Sequence, residues 1–100
     1  MKMYIVIKDW VPTGHSLNTA AHAGLIGWLE FQHLPDTQTW LKDSFKKVTC
    51  MVSDEEFDEL KKVEHNKVIT ESRLGNYEVG MVFAPRAEWP PVFKTLRLWQ

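Results

Sequence analysis

The chain predicts an α/β fold, helices layered in two or three layers on a mixed sheet of about four strands. Three observations predict it. Apolar, β-branched runs at Met1 to Ile7 and Tyr77 to Phe83 have strand length, and helix-length segments separate them. The run Lys46 to Val52 alternates and passes directly into Ser53-Asp54-Glu55-Glu56, a helix start. No repeat, low-complexity tract or linker divides residues 1–100, so the order β-α-α-β-α-β-β-α belongs to one domain.

Met1 to Ile7 reads as a strand covered on both faces, and Asp9 to Gly14, holding Pro12 and Gly14, reads as a loop. A first helix opens at His15 or Ser16 and runs to about Phe31, where Pro35-Asp36 stops it. Asp36 is a plausible N-cap for a shorter helix from Thr37 to about Asp43. Lys46 to Val52 puts Val48, Cys50 and Val52 on one face. In the third helix, expected to reach about Glu64, Ser53 caps the N3 amide while Glu56 reaches back. Phe57, Leu60 and Val63 form its buried stripe, with Lys61 and Lys62 near its negative end. Lys67 to Thr70 and Tyr77 to Phe83 are two further strands joined through Gly75-Asn76. Trp89-Pro90-Pro91 opens a short last helix, and Leu96 to Trp99 alternates like a closing strand.

One hundred residues, 44% of them apolar, suffice for a single core burying roughly two-thirds of the unfolded surface. A net charge of -1 gives no whole-molecule attraction to nucleic acid or anionic lipid, so any RNA contact requires a local patch. Cys50 is alone, which excludes an internal disulfide and a Cys-rich zinc module and suits a reducing compartment. The run Met3 to Ile7 is too short for a signal-peptide core, and no apolar stretch approaches the roughly 20 residues that span a bilayer. These readings imply a cytoplasmic protein with no membrane partner.

The chemistry concentrates in Gly14 to Trp28. At helical spacing His15, Asn18 or Thr19, and His22 share one side, while Leu17, Ala21, Leu25 and Trp28 share another, the expected buried face. Ala20, Ala21, Ala23, Gly24 and Gly27 suit a helix lying close to a sheet. A zinc site from His15 and His22 fails on geometry. Seven helical residues span about 10 Å, whereas two ligands of one zinc each lie about 2 Å from it. Cys50, mid-strand, reads as a buried inert thiol. Of the five tryptophans, Trp10 and Trp89 are positioned either to stack on a base or to build a homodimer interface.

Several segments, taken in order, resemble the type 2 peptidyl-tRNA hydrolases. They are Lys2-Met3-Tyr4-Ile5-Val6-Ile7-Lys8, Ala20-Ala21-His22-Ala23, Phe45-Lys46-Lys47-Val48 leading into Val52 to Phe57, Val79 to Pro85, and Leu96-Arg97-Leu98. The resemblance covers essentially the whole chain. It implies that family's fold and hydrolysis of the ester between a peptide and tRNA, with no cofactor or metal and with tRNA or an acylated tRNA as partner. His15 stands where the family carries a catalytic lysine, Thr19 where it carries a glutamine, Glu71 where an aspartate ends the third strand, and Tyr77 where a threonine opens the fourth. The loop joining those strands is several residues shorter here.

The resemblance thus implies a catalytic set of His15, Glu71 and Thr19, with Glu71 as general base or its orienter and His15 taking or relaying a proton near pH 7. Lys8, Arg73 and Arg86 would meet phosphates, and Asn18, His22 and Tyr77 would complete the substrate contacts. Each residue also has a structural reading. His15 suits an exposed helix start, Asn18 and Thr19 first-turn capping, His22 a core-edge histidine bonded to a strand, and Glu71 with Arg73 the flanks of a tight turn. Lys46-Lys47 and Lys61-Lys62 suit solvated edges. Three classes stay open: an esterase on acylated tRNA, a non-catalytic relative that binds a partner or ligand in the same cleft, and a hydrolase of an unrelated small ester or amide.

Overall fold

β1 (Lys2–Lys8) sits mid-sheet because it is apolar on both faces: Met3, Ile5 and Ile7 enter one core, Tyr4 and Val6 the other, and all five are buried. The computed structural model describes residues 1–100. β2 (Lys46–Val52) lies parallel to β1, with Lys2 opposite Lys46 and Lys8 opposite Val52. β3 (Asn66–Glu71) and β4 (Tyr77–Phe83) form an antiparallel pair, and β4 runs antiparallel to β1. A two-residue strand, β5 (Arg97–Leu98), pairs antiparallel with β2. The mixed sheet therefore has five strands in the order β3-β4-β1-β2-β5, one more than the expected four, because the closing run pairs for two residues.

Helices cover both faces, making three layers. α1 (Thr13–Phe31) and α2 (Pro35–Lys42) bury Ala23 and Trp40 with Met3, Ile5, Ile7 and Val82. α3 (Asp54–Leu60) buries Phe57 and Leu60 with Tyr4, Val6, Cys50, Val52, Met81 and Phe83. Its capping box forms as the sequence predicts, Glu56 N–H donating to Ser53 Oγ at 3.1 Å and Ser53 N–H to Glu56 Oε1 at 2.8 Å. α3 ends at Leu60, short of Glu64, because the Asn66 amide donates to the carbonyls of Lys61 (3.1 Å) and Val63 (2.7 Å), and His65 takes a φ of 60°. Two 3-10 turns complete the chain: Ser72–Leu74, closed by Gly75 at φ 70°, and Pro91–Thr95 where the last helix was expected.

The buried face of α1 is not the leucine face. Ser16, Thr19, Ala23, Gly27 and Phe31 are buried, whereas Leu17, Leu25 and Leu29 are about 60% exposed. The reason is distance. A Cβ on Gly80 of β4 would meet Val6 O at 2.8 Å and Thr19 Cγ2 at 3.0 Å, and one on Gly27 would meet Met3 Cε at 2.8 Å and Val82 Cγ2 at 2.9 Å. Only small residues fit between helix and sheet, and leucines on that face would hold them apart. The displaced side chains Leu25, Trp28, Leu41 and Phe45 border an open apolar hollow with Ala21, Gly24, Trp40 and Lys47.

Gly80→Ala forces its methyl against a backbone carbonyl and is expected to cost about 1–3 kcal/mol. Gly27→Ala meets side chains only, the flexible tip of Met3 and Cγ2 of Val82, and gains helix propensity, so its cost is smaller than that of a clash with backbone. Urea unfolding of both variants checks that order, and equal costs would contradict the tight helix–sheet contact.

Candidate active site at one edge of the sheet

β1 and β2 are parallel, so their carboxyl ends open on the same edge of the sheet. β3 ends there in Glu71 and β4 begins there with Tyr77, which pair across the strands. α1 runs back over this arrangement. Phe31 at its end lies 6.2 Å from the His65 ring just before β3, Gly27 packs on Val82, and Thr19 packs on Gly80. Its first turn, with His15, therefore lies toward the Glu71 and Tyr77 edge.

The chain reaches that first turn through a tight connection. Val11 N–H donates to Lys8 O at 3.1 Å, and the buried Ser16 hydroxyl donates to Val11 O at 3.2 Å. Pro12 precedes the helix, no side chain caps it, and no acid occupies its first turn. His15 is half-buried and Asn18 exposed. Thr19 is 1% exposed and its hydroxyl donates to His15 O at 2.8 Å, so it packs the helix onto Gly80 and presents no free donor. His22 is exposed one turn further on, without the strand hydrogen bond considered from the sequence.

Glu71 accepts the Arg73 N–H through Oε1 at 3.1 Å and so caps the turn that follows β3. Its second carboxylate oxygen has no partner in the chain, and Arg73 makes no ion pair. Tyr77 is 66% exposed and stands edge-on to Trp10, ring centroids 6.3 Å apart.

Lys8 is not a free cation. It pairs with Asp54 at 3.3 Å and lies 4.5 Å from the centre of the Phe57 ring. Asp54 also accepts the Trp10 indole N–H at 3.1 Å, and these two donors, the indole first, hold its carboxyl below the usual range. Arg97 pairs with Asp9 at 3.4 Å nearby. Asp54 and Trp10 thus belong to this edge, although the sequence places Asp54 only within the helix start Ser53-Asp54-Glu55-Glu56. Strand-end loops and helix starts that share an edge could have revealed the link.

Arg86 lies elsewhere. It bridges Lys2 at the opposite end of β1, six residues from Lys8 or about 20 Å along the strand, and stacks on Trp89. Cys50 is buried, and its burial pushes the thiol up. No helix is long and apolar enough to cross a membrane. The chain matches no protein-family model and none of the curated proteins.

Because Asp54 is depressed in the folded state, its contacts contribute stability above the unfolded value near 3.8 and lose it as pH falls through the lower folded value. Subtracting the fluorescence of Trp10→Phe from that of the native chain should give a Trp10 signal that is constant from neutral pH to about 4 and changes below it. Asp54→Asn should abolish that acid step. A step at mildly acidic pH would contradict the assignment.

Proposed function

We propose that the chain hydrolyses the ester joining a peptidyl or acyl group to the terminal ribose of a tRNA, with His15 and Glu71 handling protons. The observation that carries this reading is the lie of α1. Its first turn faces the sheet edge where Glu71 ends β3 and Tyr77 opens β4, so residues far apart in sequence share one edge.

The free oxygen of Glu71 takes the proton of a water attacking the acyl carbon, and His15 returns a proton to the ribose oxygen as the ester bond breaks. The uncapped amides opening α1 have no intrahelical acceptor and are free to hold the developing oxyanion. Arg73, Asn18 and Tyr77 are exposed for substrate contacts. Lys8, held by Asp54, positions the Trp10 and Asp54 cluster rather than binding phosphate. Thr19 contributes packing, and no step requires a cofactor.

With peptidyl-tRNA as substrate, Glu71→Gln and His15→Ala should each lower turnover by roughly 10²–10⁴-fold. Arg73→Ala should act mainly on KM. Native turnover by Glu71→Gln would overturn the mechanism. Binding of tRNA without hydrolysis by the native chain would identify the non-catalytic binding module instead.

A further inference from the structure

The edge opposite the candidate site gathers cations that have no partners. Lys2 of β1 stands directly across from Lys46 of β2, and on its other side it bridges Arg86. Three basic residues thus follow one another across neighbouring chain segments, at about 4.8 Å per strand. Lys2 lies 5.3 Å from the centre of the Tyr4 ring and Arg86 5.3 Å from that of Trp89, and both rings belong to the α3 face. Lys94 joins Lys2 around a hollow of about 430 Å³, with Tyr4, Trp89 and Phe93 in its wall and Glu88 as its one carboxylate. Lys46 and Arg86 line an adjoining hollow with Lys2 and Trp89.

None of these four cations forms an ion pair, whereas every ion pair of the molecule engages Lys8, Lys61, Lys62 or Arg97. Like charges directly opposite on adjacent strands destabilise a sheet, and this chain places them so with no carboxylate between them. A polyanion would relieve that repulsion. The aromatic wall narrows its kind. Trp89 is partly exposed. Phosphate-spaced negative charge beside a flat aromatic face is the chemistry of a single-stranded nucleic acid, in which bases stack while phosphates meet lysine and arginine.

We propose that Lys2, Lys46, Arg86 and Lys94, with Trp89, bind a single-stranded nucleic acid segment at this edge, about 20 Å from the His15 and Glu71 edge. The site is independent of the hydrolysis reading, because its ligand needs no acyl group.

Fluorescence anisotropy with an end-labelled, unstructured oligonucleotide, RNA and DNA in parallel, tests it on the full chain. With three or four phosphates neutralised, the logarithm of the binding constant should fall with log salt at a slope of about -2 to -3. That is roughly a 20-fold or greater loss between about 50 and 200 mM salt. Lys46→Gln and Arg86→Gln should each weaken binding and flatten that slope by about 0.7. Lys62→Ala, which removes an ammonium already paired with Glu59, should leave it unchanged. The RNA and DNA arms tell which sugar is preferred, and binding of either supports the site. Absence of binding at low salt, native affinity in both glutamine variants, or equal affinity for a heparin fragment of matched charge would overturn it.

Discussion

The contact of α1 with β4, made through side chains too small to separate them, is the constraint on which the rest of this structure depends. Gly80 leaves room for Thr19, and Gly27 for Met3 and Val82, so the helix descends onto the sheet where a larger residue would clash with Val6 O. That contact fixes the helix in direction as well as depth. Because Gly27 sits on Val82 and Phe31 reaches His65, the first turn has one place to go, the edge where Glu71 and Tyr77 emerge. Close packing of this kind is discrete. One added methyl is felt as strain, since interiors lack spare volume.

The two ends of the sheet then differ electrically although the chain as a whole is nearly neutral. At the carboxyl end of β1, Lys8 and Arg97 are already matched by Asp54, Asp9 and Glu56, and Glu71 ends β3 at the same edge, two strands over from β1. Such a neighbourhood suits proton transfer better than it suits holding a phosphate backbone. At the amino end, Lys2, Lys46 and Arg86 stand side by side, unmatched, against an aromatic wall formed by Tyr4, Trp89 and Phe93. Net charge read from composition averages these two ends to nothing, which is why it argued against nucleic acid for the molecule while leaving a local patch open.

Where local chemistry decides, the sequence was legible. Ser53 and Glu56 form their reciprocal cap, β4 has its expected limits, and Cys50 is buried. Where distant partners decide, it was not. Leu17 and Leu25 have the hydrophobicity of a core face, but the rival face of Ser16, Thr19, Ala23 and Gly27 wins because it permits a shorter distance to the sheet, and hydrophobicity alone does not measure that. Asn66 ending α3 from outside the helix is a similar case. At the candidate site the sequence has Glu71 close the third strand and Tyr77 open the fourth, and they do so. It also gave Thr19 a chemical role and grouped Arg86 with them. Thr19 is buried with its hydroxyl turned to its own helix, and Arg86 belongs to a chain segment at the other end of β1.

The orientation of α1 is therefore the claim to examine first, and nuclear Overhauser contacts in a methyl-labelled sample report it directly. The account requires contacts from the Thr19 methyl to the Gly80 α-protons and from the Phe31 ring to the His65 ring, with the methyls of Leu17 and Leu25 showing none to β4. Contacts from those leucine methyls to Val82 or Gly80 would contradict it, and would dissolve the shared edge of His15 and Glu71 at the same stroke.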